Sequence, residues 1–328
     1  MTLPFVSIVI PTYNREKMLS VTLDSFINQS YPNECYEIIV CNNNSTDNTQ
    51  KVIDEYAKKY PDLIKPVFEK RQGVHYTRNT AAHQTKGELL YYTDDDMIAD
   101  KDLIKNLVQI FIDNPEVGSA TGKVIPHWEV KPPLWIEENL SNGLLSLNNQ
   151  GEELIISKED IGVFSCHQMM RRDAFFKSGG FNPENTAGEW IGDGETGLNI
   201  KIKELGYKFA YVPNSVIKHM IPPCRMTQKY FNKRMANQGN CDCYTDYKKN
   251  KYSFFELAKI NCKLTKEIYA CFKYCLTHFY KTDKTMTFKH RYKRAHLSYY
   301  VSRFKYNLKI MFSKRWRELI LRYDWLSE

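Results

Sequence analysis

The sequence has no long uninterrupted hydrophobic run. No stretch of about 18 uncharged apolar residues occurs in its 328 residues, so the pattern predicts no membrane-spanning helix. The first residues lead into a strand pattern and show no basic region followed by a cleavage site, so we expect no secretory signal. Both absences favour a cytoplasmic protein, either free or peripheral on the cytoplasmic face of a membrane.

The nine cysteines form no regular framework. Their number is odd and their spacing irregular, which favours reduced thiols over disulfides. Cys241-x-Cys243, with Cys224 and His219 upstream, is a candidate zinc site, although the spacing matches no common zinc motif. The chain is 42 % hydrophobic and 13 % aromatic, a composition typical of a globular protein with an ample core.

Acidic residues are scarce at the end of the chain. Residues 245–328 contain 20 Lys and Arg against 7 Asp and Glu, a net charge of +13, whereas the rest of the chain carries −5. Within this stretch the pattern predicts two helices, 252–280 and 287–323, that interleave aromatic with basic residues. We expect residues 250–328 to meet an anionic membrane surface or, alternatively, to pack within a homo-oligomer or against the chain itself. No nucleic-acid-binding motif is present, so we expect no nucleic-acid partner.

Strand and helix patterns alternate in the first hundred residues. Short apolar runs predict strands at 5–10, 36–41, 67–69 and 89–92, and apolar residues at helical spacing predict helices at 16–28, 49–60 and 76–86. Such alternation with short links predicts a parallel sheet covered by helices on both faces. The loops after the first, second and fourth strands should then meet at one edge, where a nucleotide can bind.

The fourth predicted strand leads into three adjacent carboxylates, in the sequence Tyr91-Tyr92-Thr93-Asp94-Asp95-Asp96-Met97. Three neighbouring carboxylates repel one another, and a hard cation such as Mg²⁺ or Mn²⁺ relieves that repulsion. The pattern therefore favours a divalent metal at the end of a strand, holding a phosphate. The alternative is an acidic turn in which Asp96 or Asp100 caps the next helix.

The pattern is less regular after this cluster. It predicts a helix at 103–112, a strand at 120–126 and then a long loop at 126–150. Further along, it predicts a strand turning into a helix at 163–172, a helix at 198–205, and strands at 209–213 and 216–218.

The order of these motifs resembles that of the family 2 glycosyltransferases, which have the nucleotide-sugar-binding GT-A fold. The matching residues are Ser7-Ile-Val-Ile-Pro-Thr-Tyr-Asn14, Asn44-Ser-Thr-Asp47, Gly73 with Arg78-Asn79, Gly87-Glu88, Asp94-x-Asp96, Arg171-Arg172, Gly179-Gly180-Phe181, the segment from Gly192 to Leu198, and His219. The resemblance covers roughly residues 4–240. It implies an α/β fold with a mixed, mainly parallel Rossmann-like sheet, here followed by a helical extension. It divides the chain into a nucleotide-sugar-binding half (1–100), an acceptor half with the catalytic base (101–244) and the basic extension (245–328).

The resemblance implies nucleotide-binding roles for one set of residues. They are Pro11, Thr12, Tyr13, Arg15, Asn42, Asn44, Arg78, Asp94 and Asp95. Asn42 stands where the family usually has an Asp that accepts a hydrogen bond from the base, and its carbonyl can still accept that bond without charge. Arg78 would face the base or the diphosphate; the alternative is a structural arginine on a helix surface.

The resemblance also implies a metal site and a catalytic base. Asp96 would bind Mn²⁺ or Mg²⁺ together with His219, and the alternative register puts Asp95 on the metal. Glu195 falls where the family has the acid that deprotonates the acceptor, and a carboxylate at a helix N-terminus stays ionised, as a general base requires. Asp193 is the alternative base, and both acids could instead serve only as a cap and a turn residue.

Three further side chains are candidate contacts for the acceptor or the transferred sugar. They are His167, Trp190 and Trp135. Aromatic rings stack on sugar rings, but buried tryptophan and histidine side chains more often have structural roles.

These residues together predict an inverting, metal-dependent glycosyltransferase. It would move a sugar from a nucleotide diphosphate sugar, with UDP favoured, to a hydroxyl of a glycan or lipid-linked acceptor in surface polysaccharide or glycoconjugate synthesis. A non-catalytic sugar-nucleotide or glycan-binding protein and a nucleotidyltransferase are the alternatives. The loop after the first strand, Pro11-Thr-Tyr-Asn14, is neither glycine-rich nor basic and so disfavours the nucleotidyltransferase.

Overall fold

A computed structural model describes residues 3–138, 143–183, 192–280 and 286–327 of the chain, and only the backbone at 185–186 and 189–190. The strands are β1 (Val6–Thr12), β2 (Tyr36–Asn42), β3 (Ile64–Phe68), β4 (Leu89–Thr93), β5 (Met97–Ala99), β6 (Val117–Trp128), β7 (Ile155–Ser157), β8 (His167–Arg171), β9 (Asn185–Thr186), β10 (Glu189–Trp190) and β11 (Lys208–Ile221). The helices are α1 (Leu19–Ile27), α2 (Thr49–Lys59), α3 (Val74–Ala82), α4 (Leu103–Asp113), α5 (Leu134–Glu137), α6 (Arg172–Lys177), α7 (Gly194–Glu204), α8 (Gln228–Asn250), α9 (Phe254–Thr277), α10 (Phe288–Phe312) and α11 (Lys314–Leu321).

The described strands other than β9 and β10 form one mixed sheet. Its order is β3-β2-β1-β4-β8-β6-β11-β5, and β7 pairs with β11. The first four strands in this order run parallel to one another, as do β6 and β11, whereas β8 and β5 run antiparallel to their neighbours. The carboxyl ends of β1, β2 and β4 therefore lie side by side, as predicted.

Apolar side chains of the central strands alternate between two cores. Ile8 and Ile10 pack in the cluster that includes α1 and α4, whereas Val9 packs on the other face with Tyr92 and Phe181. This alternation follows from the two-residue period of a strand. It fixes the register of β1, because a slip of one residue would exchange the two sets of side chains.

The short strand β5 brings the acidic cluster to the end of β11. Met97 pairs with His219 in the antiparallel β5–β11 ladder, and the Met220 amide donates to the Asp96 carbonyl at 2.9 Å. Two segments more than 120 residues apart in sequence thus become neighbours. The sequence pattern did not predict β5, since three residues are too few to show a period.

The helical extension packs beside the sheet, and the last residues of the chain contact the segment after α6. Helix α10 packs against both α8 and α9, and the Trp325 amide donates to the Gly179 carbonyl at 2.9 Å. A side chain at Gly180 would collide with Leu326, since its Cβ would lie 2.7 Å from Leu326 Cδ2. Among the described residues, no helix is both long and apolar enough to cross a membrane.

The predicted fold class is confirmed by this architecture, and several predicted details are wrong. The strand predicted at 67–69 is β3 at Ile64–Phe68, and the two strands predicted at 209–213 and 216–218 are one strand, β11, with an irregular register. The sequence pattern missed β7 and the 23-residue helix α8. The candidate zinc ligands are not brought together: no group of three or more His, Cys, Asp or Glu in the described part of the chain could hold a metal.

Candidate active site

A cleft of about 480 Å³ opens at the carboxyl ends of β1 and β4. Its walls come from the loops after these strands, from the turn before α3 and from the segment after β11. The lining residues are Pro11, Thr12, Tyr13, Arg15, Asn43, Gln72, Gly73, Val74, Thr77, Asp94, Asp95, Asp96 and Arg225. Six of the nine predicted nucleotide-binding residues are in this set, and Asn42, Asn44 and Arg78 are not.

The acidic cluster is neutralised by arginines that reach in from loops. The Arg15 guanidinium lies 3.3 Å from Asp95 and 3.6 Å from Asp96, and Arg225 lies 2.7 Å from Asp96. Burial would raise the pKa of the Asp96 carboxyl, but the charges of Arg225 and Arg15 beside it hold that pKa well below its usual range. Burial and the adjacent charge of Asp96 raise the pKa of Asp95 to about 7. Of Asp95 and Asp96, Asp96 is therefore the carboxylate that stays ionised.

His219 presents an unprotonated ring nitrogen to Arg225 and Asp96, which line the cleft. Its Nδ1 lies 2.8 Å from the Leu145 carbonyl oxygen, which can only accept, so the proton sits on Nδ1. Nε2 then accepts a hydrogen bond from Arg225 Nη1 at 2.5 Å and lies 3.7 Å from Asp96 Oδ1. The imidazole nitrogen and the Asp96 carboxylate are thus close together, and both accept hydrogen bonds from Arg225.

This donor set fits a divalent cation that is held by few protein ligands. Mg²⁺ and similar ions commonly take one or two protein ligands and complete their shell with water and substrate phosphates. Asp96 and His219 supply a carboxylate oxygen and an imidazole nitrogen at 3.7 Å from each other. Arg225 now donates to both of these acceptors, so a metal ion could bind them only if this side chain moved.

The two acids at the start of α7 lie in different environments. Asp193 is buried and accepts hydrogen bonds from Asn182 at 2.6 Å and from Thr245 of α8 at 2.9 Å. Burial raises its pKa, against those bonds and the charges of Lys248 and Lys201. The Glu195 side chain is 26 % exposed and lies 3.6 Å from His75. Of the two, Glu195 is the acid that solvent and an acceptor can reach.

His75 and Arg78 connect Glu195 to the cleft. His75 is buried in the first turn of α3, stacks on Phe181 with ring centroids 4.9 Å apart, and has Nδ1 3.3 Å from Arg78 Nη1. Arg78 in turn donates to Asp94 at 2.5 Å. Arg78 thus contacts Asp94, which lines the cleft, but does not line the cleft itself. Sequence reasoning missed His75, although its spacing of three from Arg78 puts both on one side of a helix.

Asn43 lines the cleft, whereas the sequence analysis predicted this position for its neighbour Asn42. The Asn43 side chain accepts from the Gly73 amide at 2.8 Å and donates to the Arg71 carbonyl at 2.6 Å. Gly73 has φ of +143°, a conformation that favours glycine. Asn42 instead accepts from the Ser45 amide at 2.9 Å, and Asn44 has φ of +58° and forms the turn. Asn42 thus already uses its carbonyl oxygen inside the loop.

The predicted sugar contacts are not brought to the cleft. His167 is fully buried, Tyr91 donates to its Nδ1 at 2.8 Å, and burial lowers its pKa to about 4. Trp135 is buried against Phe231 of α8, at 6.0 Å between ring centroids. Neither side chain lines the cleft. The side chain of Trp190 lies outside the described residues.

The fold is that of the GT-A glycosyltransferases. The mannosyltransferase PcManGT from Pyrobaculum calidifontis, solved in complex with GDP-Man and Mn²⁺, is similar over 73 % of this chain and 63 % of its own, with a TM-score of 0.55 and 22 % identity. That likeness shows the fold.

The chain belongs to glycosyl transferase family 2, whose model matches residues 7–179, more than half of the chain. Glycosyltransferase AglE of Haloferax volcanii is 35 % identical over 95 residues, which are 29 % of this chain and 31 % of AglE. The O-antigen chain rhamnosyltransferase RfbN of Salmonella typhimurium is 28 % identical over 240 residues, 69 % of this chain and 70 % of RfbN. The chain thus spans less than a third of the length of AglE.

Proposed function

We propose that this protein is a metal-dependent, inverting glycosyltransferase. It transfers a sugar from a nucleotide diphosphate sugar, with UDP as the favoured nucleotide, to a hydroxyl of a glycan or lipid-linked acceptor in surface polysaccharide or glycoconjugate synthesis. The observation that carries this proposal is the proximity of Asp96, in the wall of the cleft, to His219 at 3.7 Å, with a second, accessible carboxylate, Glu195, beyond His75. Family membership and the GT-A fold support it.

The cleft has groups suited to each part of the donor. Tyr13 and the backbone of Pro11 and Thr12 offer a wall for the base, and Asp94 offers acceptors to the ribose hydroxyls. Arg15 and Arg225 offer charge-assisted hydrogen bonds to a diphosphate. Because Asn42 uses its carbonyl inside the loop, we expect weak discrimination between bases at this position.

Asp96 and His219 would hold the divalent cation, Mn²⁺ or Mg²⁺. When bound, such a cation takes up the negative charge that develops on the departing diphosphate. The buried ion pair of Asp96 keeps that carboxylate charged, and the Leu145 carbonyl keeps the His219 lone pair directed into the cleft. Arg225 would leave both ligands and pair with the diphosphate.

Glu195 would accept the proton of the acceptor hydroxyl as its oxygen attacks the anomeric carbon. The bond from that carbon to the diphosphate oxygen breaks on the opposite side, so the configuration inverts. His75 would hold the Glu195 carboxylate toward the acceptor, and its own ring is fixed by Phe181. Asp193, the alternative base, is enclosed by Asn182 and Thr245 and would serve the structure of this region.

We further propose that the reaction takes place in the cytoplasm, with residues 1–100 binding the donor and residues 101–244 the acceptor. Residues 245–328 would attach the enzyme to an anionic surface or to another subunit. The strongly basic charge of that segment supports this assignment.

A donor screen tests the proposed activity. Full-length protein is incubated with Mn²⁺ and with UDP-, GDP- or dTDP-sugars, and the release of the nucleotide diphosphate is measured. We expect metal-dependent release from one class of donor, reduced on the order of a hundredfold or more in Asp96→Asn. Asp100→Asn, four residues further on and paired with Lys218, is the matched control and should behave like the wild type. Donor binding without turnover would favour a non-catalytic binding protein, and formation of a sugar nucleotide from NTP and a sugar 1-phosphate would favour a nucleotidyltransferase.

A further inference from the structure

Helix α9 and the turn that follows it leave a row of large apolar side chains in solvent. Tyr269, Phe272, Leu276 and Phe279 are between 51 % and 77 % exposed. Their spacing of three, four and three residues puts them on one side of the helix. Such a continuous apolar row is uncommon on a soluble monomer and marks a surface for interaction. We call these four residues the aromatic row.

An adjoining side of α9 is already used within the chain. Leu257, Leu264 and Cys271 are buried, and Asn261 accepts a hydrogen bond from Asn307 of α10 at 3.1 Å. Helix α9 therefore docks on α10 through one side only. Its orientation is fixed by this packing, so the aromatic row faces outward as a consequence of the fold.

Lysines lie beside the aromatic row, on the side of α9 that faces away from the buried residues. Lys259, Lys266 and Lys273 are spaced by seven residues, which is two helical turns, and all are exposed. No ion pair within 4 Å links them to the described residues. The neighbouring helix α10 carries seven Lys and Arg and no Asp or Glu. The aromatic row thus lies beside a surface with net positive charge, in which Glu256 and Glu267 are the acidic residues of α9.

This charge distinguishes between the two kinds of partner that could cover the row. In a symmetric dimer the same patch meets itself, so the lysines of both copies would come together and repel. An anionic bilayer instead brings opposite charge, and its interface accommodates tyrosine and phenylalanine rings while lysine chains extend to the headgroups. We propose that the aromatic row and its lysines dock this protein on the surface of an anionic membrane. This attachment does not depend on the proposed transfer reaction.

Vesicle binding by the full-length protein tests the proposal. Cosedimentation is measured with neutral phosphatidylcholine vesicles and with vesicles containing about one third phosphatidylglycerol, at low and high salt. We expect binding to the anionic vesicles only, and weaker binding at high salt. Equal binding to both kinds of vesicle, or binding to neither, would overturn the proposal.

Two variants and one matched control locate the surface. Each lysine near an anionic surface contributes about fivefold to binding, so Lys266→Glu with Lys273→Glu should weaken it by about 25-fold or more. Phe272→Ser with Phe279→Ser should weaken it at least as much. Lys51→Glu with Lys58→Glu makes the same change of charge on exposed positions of α2 and should bind like the wild type. If that control lost as much binding, the effect would come from net charge and the assignment to α9 would be wrong.

The same variants decide between the membrane and a second copy. Circular dichroism and thermal unfolding confirm that each variant is folded. The mass of the protein in solution is then measured by light scattering. A monomeric wild type supports the membrane. A dimer that Phe272→Ser with Phe279→Ser converts to a monomer would assign the row to self-association and overturn the proposal.

Discussion

The carboxylates at the end of β4 and those at the start of α7 are neutralised in different ways. Asp95 and Asp96 are paired with Arg15, on a loop, and with Arg225, in a single 3-10 turn, and both arginines line an open cleft. Asp193 is enclosed by α8 and lies in the field of the lysines of α7 and α8. An arginine on a loop can change partners when a phosphate arrives, whereas an enclosed pair cannot. The difference indicates which acids can take part in chemistry and which hold the structure.

The largest expected effect separates Glu195 from Asp193. Glu195→Gln removes a base that acts only on the acceptor, so transfer should fall by about 10²–10⁴ while donor affinity stays within about twofold. Asp193→Asn should instead lower the melting temperature and leave most of the transfer rate in the folded fraction. Single-turnover transfer, calorimetric donor binding and thermal unfolding give the three readouts. Loss of transfer in Asp193→Asn, with Glu195→Gln active, would reverse the two roles.

The position of the cleft was predictable from the sequence because its parts are local. The runs that form β1, β2 and β4 are apolar, β-branched and bounded by turn residues, and the acids follow β4 directly. The carboxyl ends of parallel strands form the ligand-binding edge of such a sheet, and this rule then predicts where the cleft lies. Fold class and the set of acidic residues therefore follow from short-range pattern and one general rule.

The arrangement within the cleft depends on contacts that no local pattern contains. His219 reaches Asp96 only because three residues of β5 pair with β11. Arg225 reaches both through a segment that has no helical or strand period of its own. The environments of Asp193 and Glu195 differ because α8 covers one of them, and α8 has few apolar residues in a regular order. These contacts could not be predicted from the sequence because the residues that make them are far apart along the chain.

The next largest effect is the pH dependence that Lys201, buried near Asp193, gives to the free energy of unfolding. Lys201 is buried and donates to the Gly180 carbonyl at 2.7 Å; burial and Lys248 lower its pKa from 10.5 to about 7. Between these two pH values the unfolded chain binds more protons than the folded protein. The contribution of Lys201 to stability therefore rises with pH in this window, by about 1.4 kcal/mol per pH unit and about 3 to 5 kcal/mol in total.

Urea unfolding of the wild type and Lys201→Met at pH 6.5, 8 and 9.5 measures this contribution. We expect the difference in unfolding free energy to grow in favour of the wild type as the pH rises. Lys203→Met, on the exposed side of the same helix, is the control and should follow the wild type at a constant offset. Parallel curves for the wild type and Lys201→Met would mean that this lysine stays protonated in the folded protein.

A smaller effect is expected from the arginine that occupies the proposed metal ligands. Arg225→Met frees Asp96 and His219, so affinity for Mn²⁺ without nucleotide should rise by about tenfold, the equivalent of a single charge-assisted hydrogen bond of about 1.5 kcal/mol. Arg15→Met removes the same charge from the cluster but has no contact with His219, and should raise Mn²⁺ affinity by less. The signal of free Mn²⁺ in electron paramagnetic resonance reports both affinities. An equal rise in the two variants would show that only net charge matters.

The smallest effect is expected at His75, whose ring lies 3.6 Å from the Glu195 carboxylate. His75→Gln keeps a hydrogen-bond donor but loses the ring that stacks on Phe181, so the Glu195 carboxylate should be held less firmly. We expect kcat to fall by about threefold to tenfold while KM for the donor changes little, because His75 does not line the cleft. A parallel change in KM for the donor would instead trace the effect to Arg78 and Asp94, which His75 also contacts through Arg78. The split between kcat and KM thus shows whether His75 acts on the acceptor side of the site or on the donor side.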